Sequence, residues 1–188
     1  VRDLHCSMTC TNTSRPESCP VLVLAKETTI AGYDILNEPW IYSSVNSNLN
    51  ATNVDTFYLK VVAAIRSVDP NHIIFLEPTN MNTFGFLIRS NIVWSPHFYV
   101  LALARIPPTN RSILEADLAA KYKKFVLEAG TPMWIGEFGA FMNDAKSMSM
   151  WIQHAIELFG KYQVGWAYWA YNPRGNNYLI LNSLLAPS

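Results

Sequence analysis

Net charge is what this chain most plainly lacks. Its 14 lysines and arginines are matched by 14 aspartates and glutamates, so there is no basic surplus to neutralise phosphates. That removes the electrostatic reason to expect nucleic acid or an anionic membrane as a partner. Apolar stretches of about 18 residues are missing too, so nothing reads as a membrane-spanning helix. Repeats, low-complexity tracts, charge runs and linker-like stretches are absent from the 188 residues, which points to one domain. The sequence opens on Val1 rather than methionine and shows no signal peptide, the pattern expected of a processed or partial chain.

Cysteine is scarce and confined. Cys6, Cys10 and Cys19 fall within the first twenty residues, beside His5. Their spacing matches no zinc pattern and they sit among threonine, serine and proline. A loop disulfide plus one spare thiol is therefore a plainer reading than a metal site, and the pairing stays open. N-x-S/T sequons at Asn12, Asn50 and Asn110 occupy polar, loop-like stretches, which suits a secreted protein. Nothing in the sequence sets an oligomeric state.

What the chain has in quantity is apolar and aromatic side chain, 50% and 13% of residues, enough for a core and too much for disorder. From residue 30 onward two kinds of segment alternate. Short apolar runs read as strands: Ile30 to Leu36, His72 to Leu76, Ile92 to Tyr99, Met133 to Phe138 and Val164 to Ala170. Between them lie stripes of helical period: Val54, Phe57, Tyr58, Val61, Val62, Ile65 and Val68; then Leu114, Leu118, Tyr122, Phe125 and Ala129; then Met148, Trp151, Ile152, Ala155, Ile156 and Phe159. These stripes are expected to face a sheet. Residues 78–90 carry at most a brief helix. Asp69-Pro70 and Gly130, with Pro132 beyond it, supply stop signals. Strand and helix in alternation predict an α/β fold with a parallel sheet and helices packed outside it.

In such folds chemistry gathers where strands end. The stretch GYDILNEPW ends a strand on Glu38, and MWIGEFG ends another on Glu137. Three strand–helix units of roughly 33 residues separate them, close to the spacing of an eightfold α/β barrel of about 250 residues. Strands three places apart on a barrel face each other across its mouth. Two facing carboxylates are what glycosidic cleavage needs, one protonated to assist the leaving oxygen and one ionised to attack carbon or activate water. A single glutamate at a strand end is more often a structural hydrogen-bonding group; two, each among glycine and aromatics, favour catalysis. Glu77, in LEPTN, is the rival carboxylate. SPHFY puts His97 and Tyr99 at a third strand end, and GWAYWAYNP puts Trp169 at a fifth. A tyrosine hydroxyl can hold a carboxylate, and an indole face can stack on a sugar ring. Trp94, Trp134, Trp151 and Trp166 read as core.

Taken in order, GYDILNEP, PHFY, WIGEFG and WAYW resemble glycoside hydrolase family 5, the cellulase family A, over residues 28 to 175. The resemblance implies a (β/α)8 TIM barrel and a retaining mechanism on β-linked glycans such as cellulose, other β-glucans or mannan, with an oligo- or polysaccharide as substrate and no cofactor or metal. It implies Glu38 as acid/base, Asn37 as a ligand of the sugar 2-hydroxyl and Glu137 as nucleophile. His97 and Tyr99 match a sixth-strand pair, with Tyr99 orienting the nucleophile, and Trp169 an eighth-strand sugar platform. VRDLHCSM resembles the end of the third strand, which would make His5 its substrate-binding histidine.

On that count the chain supplies strands four to eight and the end of strand three, an incomplete barrel in which residues 1–188 form one partial catalytic domain. Such a chain, expressed alone, is expected to turn over little substrate and to aggregate, because apolar strand edges and helix stripes lose their partners. The competing expectations are a non-catalytic carbohydrate-binding remnant, in which the aromatic platform survives, and metal-assisted hydrolysis, which His97 supports poorly for want of an Asp/His cluster at ligand spacing.

Overall fold

A computed structural model describes residues 20–39, 51–78, 91–100, 111–140 and 144–170. The cysteines, His5, the sequon asparagines and nearly all of the 78–90 connection lie outside them. The chain groups into two compact units, Val1–Trp94 and Ser95–Ser188.

The first unit contains the short helix α1 (Pro20–Leu24), strand β1 (Gly32–Asp34), helix α2 (Ala51–Arg66), strand β2 (Ile73–Leu76) and strand β3 (Ile92–Trp94). The three strands form a parallel sheet in the order β1-β2-β3, with Tyr33 beside Ile74 and Leu76 beside Trp94. Helix α2 buries the stripe its spacing dictates, Val54, Tyr58, Val61, Val62 and Ile65, while Ile74, Leu76, Ile92 and Trp94 are buried from the strands. Each such side chain contributes about 1.5 to 3 kcal/mol when fully removed from water.

The turn between α2 and β2 is fastened by Asp69, which is fully buried. Its Oδ1 accepts from the backbone N–H groups of Asn71 and His72, and its Oδ2 accepts from Tyr33 Oη at 2.6 Å. His72 Nδ1 lies 2.6 Å from the same Oδ2, and Nε2 lies 2.9 Å from the Glu27 carbonyl. Both ring nitrogens thus face acceptors, an arrangement satisfied fully only by the imidazolium. The Glu27 carbonyl, opposed by burial and helped by Asp69, raises the His72 pKa above its ordinary value. Burial would raise Asp69, but the bonds from Tyr33, His72 and Asn71 outweigh it and hold the carboxyl at about 2.

The second unit contains α3 (Arg111–Tyr122), a π-helical continuation (Lys123–Glu128), β4 (Trp134–Phe138), α4 (Ala145–Tyr162) and β5 (Gly165–Tyr168). Strands β4 and β5 are parallel, and Phe98 forms a parallel bridge to Phe138. The π-helical turns close at Gly130, at φ +64°, whose N–H donates to the Val126 carbonyl. Glycine takes this left-handed conformation without steric cost. Asp144 caps α4, accepting the Ser147 N–H at 2.8 Å. Phe138 is the hub of the core: its ring meets those of Trp151, Phe159, Trp166 and Tyr168 at centroid distances of 5.0 to 6.4 Å.

Three core expectations are corrected. Ile156 is exposed and Leu158 is buried in its place, because the buried face of α4 runs through Trp151, Ala155, Leu158 and Phe159. Trp134 and Trp166 are 37% and 40% exposed. Trp134 opens its strand, and its ring closes over the backbone of Gly165. Trp166 lies on β5, which among the described residues pairs with β4 alone, so its ring is covered on the Phe138 side only in part.

Candidate active site

Glu137 is the fourth residue of β4, and its surroundings come from the segment that follows β3. The bridge at Phe98 brings this segment alongside: the Phe98 N–H donates to the Glu137 carbonyl at 2.8 Å, and the Gly136 N–H donates to the Pro96 carbonyl at 3.2 Å. With Phe98 turned into the core, its neighbours His97 and Tyr99 turn the other way, as alternation in an extended chain requires. Both reach the same carboxylate oxygen. Tyr99 Oη donates to Glu137 Oε2 at 2.8 Å, and His97 Nδ1 stands 3.5 Å from it. The Glu137 side chain retains 18% of its exposure and His97 only 7%.

The segment is pinned from behind. Trp151, fully buried on α4, donates its indole N–H to the Val100 carbonyl at 2.8 Å, one residue past Tyr99. Burial of so large a side chain holds the chain that carries the phenol. Trp169 follows β5, its N–H donating to the Phe138 carbonyl at 2.9 Å, and the residue is 51% exposed. The Trp169–Ala170 peptide is cis. At Gly139 a Cβ would collide with the Trp169 carbonyl oxygen, so the absence of a side chain there lets the Trp169 backbone approach closely.

The other strand-end carboxylate belongs to the first unit. Asn37 and Glu38 are exposed just beyond β1. Glu38 has φ 44°, and its backbone N–H donates to Glu77 Oε2 at 2.6 Å. Glu77 follows β2, is 3% exposed, and has its own carbonyl bonded by the fully buried Tyr58 Oη at 2.8 Å. Burial, and then the charges of Glu77 and Asp34, push the Tyr58 phenol well above its ordinary range.

His97, Tyr99 and Glu137 are therefore brought together around one oxygen, with Trp169 bonded to the same strand, and Asn37 stands next to Glu38. The sequence reading missed Glu77 as a partner of the Glu38 backbone and Trp151 as the anchor behind Tyr99. Tyr58 carried a signal for the first: a phenol at a buried helical position needs a hydrogen-bond partner.

A model of the cellulase family (glycosyl hydrolase family 5) matches residues 24–175. A beta-xylosidase of Phanerodontia chrysosporium is 26% identical over 171 residues, covering 79% of this chain and 34% of that protein. Thermotoga maritima Cel5A, in its complex with mannotriose, aligns with a TM-score of 0.69 at 17% identity, over 94% of this chain and 64% of that one. The cellulose synthase subunit Z of Clostridioides difficile aligns at 0.71 and 19% identity, over 89% and 61%. The chain thus spans about a third of the curated relative and less than two thirds of these structures. Such neighbours are (β/α)8 barrels, so the fold class is that of a TIM barrel, carried here in part.

Proposed function

Because the chain belongs to the cellulase family, glycosyl hydrolase family 5, we propose that it is catalytic chain of a retaining β-glycan hydrolase, with Glu137 as nucleophile and Glu38 as acid/base. The observation that carries the reading is the bond from Tyr99 Oη to Glu137 Oε2 at 2.8 Å. A phenol donating to one oxygen fixes the carboxylate's rotation and leaves the other oxygen to bond the anomeric carbon. Glu38 protonates the departing oxygen in that step and then deprotonates the water that releases the sugar, which is double displacement. Asn37 would hold the 2-hydroxyl and Trp169 would stack on the ring, its 51% exposure leaving a face for sugar.

The substrate class we propose is a glycan of β-linked glucose or mannose. The xylosidase and mannotriose names belong to relatives and widen the panel to be tested. The sequons at Asn12, Asn50 and Asn110 support secretion, and a mobility shift on deglycosylation of the natural protein tests it.

The deciding experiment treats the full-length protein with 2,4-dinitrophenyl 2-deoxy-2-fluoro β-cellobioside, β-xyloside and β-mannoside. A good leaving group with a slow second step makes the covalent intermediate accumulate. One reagent should label Glu137, mapped by peptide mass spectrometry. A label on Glu38 or Glu77 overturns the roles, and turnover without any covalent adduct overturns the double displacement.

A further inference from the structure

We infer that Glu77 is a positioning residue for the acid/base, fixing the main chain of Glu38 rather than touching substrate; this rests on the reading of Glu38 proposed above. Among the described residues three non-glycines have positive φ: Glu38, Asn91 and Gln163. Asparagine tolerates this region, and Gln163 is the left-handed C-cap of α4. Glu38 has neither excuse. It precedes Pro39, whose ring disfavours the helical regions for the residue before it. A conformation of this kind is strained and persists only where its surroundings determine it.

Glu77 supplies that determination. The parallel register of β1 and β2, Asp34 beside Phe75, carries the two strand ends out side by side. The left-handed turn at Glu38 aims its N–H back toward β2, where a carboxylate that is 3% exposed receives it at 2.6 Å. A carboxylate accepting a backbone N–H forms a charge-assisted bond, roughly twice as strong as a neutral one. Glu77 is itself held through its carbonyl by Tyr58 on α2. Helix core, Tyr58, Glu77 backbone, Glu77 carboxylate and Glu38 N–H form one continuous chain of contacts. It sets the direction in which the Glu38 side chain leaves the backbone while making no demand on that side chain's oxygens. The rival carboxylate of the sequence thus has a role that the pattern of a glutamate at a strand end does not reveal.

The test compares Glu77→Leu and Glu77→Gln with wild type in the full-length protein, using the sugar that labels the wild-type enzyme. For each, kcat/KM is measured on its 2,4-dinitrophenyl glycoside and on an unactivated oligosaccharide, both normalised to sites titrated by the 2-fluoro reagent. A misplaced proton donor harms only the leaving group that needs a proton. Glu77→Leu should lose about 100-fold on the oligosaccharide and only a few-fold on the dinitrophenyl glycoside. Glu77→Gln, which keeps an acceptor oxygen, should recover most of that loss. Equal losses on both substrates, or no rescue by glutamine, overturn the inference. Should the leucine variant fail to fold, Glu77→Asp, which withdraws the oxygen by one methylene, must show the same leaving-group dependence or the inference falls. A wild-type enzyme that labels at Glu137 while the variants fail this pattern leaves the proposed function standing; one that neither labels nor turns over removes both.

Discussion

The two strand-end glutamates are gripped at different points. In the second unit Glu137 is gripped at its carboxylate, by Tyr99 at 2.8 Å and His97 at 3.5 Å. In the first unit Glu38, an exposed residue, is gripped at its main chain by Glu77. The contrast fits the two proposed tasks. A nucleophile must present one oxygen to one carbon, so the carboxylate itself needs orienting. An acid/base must pass a proton first to a sugar oxygen and later from water, so the carboxylate needs room while its origin stays fixed.

The widest separation between the two should appear on deleting each side chain. Glu137→Gly should lose roughly 10⁴- to 10⁶-fold in turnover, and with azide an activated β-glycoside should give the α-glycosyl azide. Glu38→Ala should lose about 10²- to 10⁴-fold on unactivated substrates, and its azide product should be β. The same anomer from both variants would erase the distinction.

Next in size is the grip on the carboxylate. Tyr99→Phe removes one bond to a charged group, worth about 1.5 to 3 kcal/mol, so kcat/KM should fall about 10- to 100-fold. Its melting temperature should stay near that of wild type, since the change removes one hydroxyl and leaves the ring in place. Unaltered kinetics would mean that His97 alone orients Glu137.

A third comparison sets two tryptophans of the second unit against each other. Trp151→Ala should cost about 3 to 5 kcal/mol in stability, because the indole is fully buried and its N–H holds Val100. Trp169→Ala should weaken substrate binding and turnover with almost no change in melting temperature. A large stability loss with normal kinetics would assign Trp169 to the core.

The smallest effect belongs to the first unit alone. The His72 pKa is raised by its bonds to Glu27 and Asp69, so the stability from its proton is complete below the ordinary value of 6.5 and is lost as pH rises through the raised one. Asp69 is depressed from 3.8 to about 2, so its share is present above 3.8 and is lost as pH falls through about 2. The melting advantage of wild type over His72→Gln should therefore be greatest between those limits and shrink on the alkaline side. An advantage that stays constant from pH 5 to pH 9 would show that the imidazolium is not what fastens the turn.

Much of this is legible in the sequence. The apolar runs each contain an observed strand, and most of the α2 stripe is buried, with Leu114, Leu118 and Phe125 buried from the next, while Phe57, Val68, Tyr122 and Ala129 are half-buried. What escaped has identifiable causes. A stripe of 3.6 period fits neighbouring faces almost equally well, so Ile156 was placed inside in preference to Leu158. Hydrophobicity alone cannot say that the Trp134 ring spends its area over a glycine backbone, nor that α3 runs on as a π-helix from Lys123. That Tyr99 meets Glu137 was implied only by the resemblance to glycoside hydrolase family 5; that His97, Tyr99 and Glu137 each stand at a strand end was readable from sequence-local rules. The bond between Glu77 and Glu38 was not, since it depends on the register of two strands and on a backbone angle that no residue type announces.

Phe138, the residue after Glu137, meets four other rings, and its carbonyl takes the Trp169 N–H. Local opening of a protein begins where contacts are few and ends where they are densest. The amide of Trp169 should accordingly belong to the slowest-exchanging class in the second unit. The tip of β4 then has no private route to disorder: heat would displace Glu137 only as that unit's aromatic cluster dissolves, and loss of activity on warming would track the melting curve instead of preceding it.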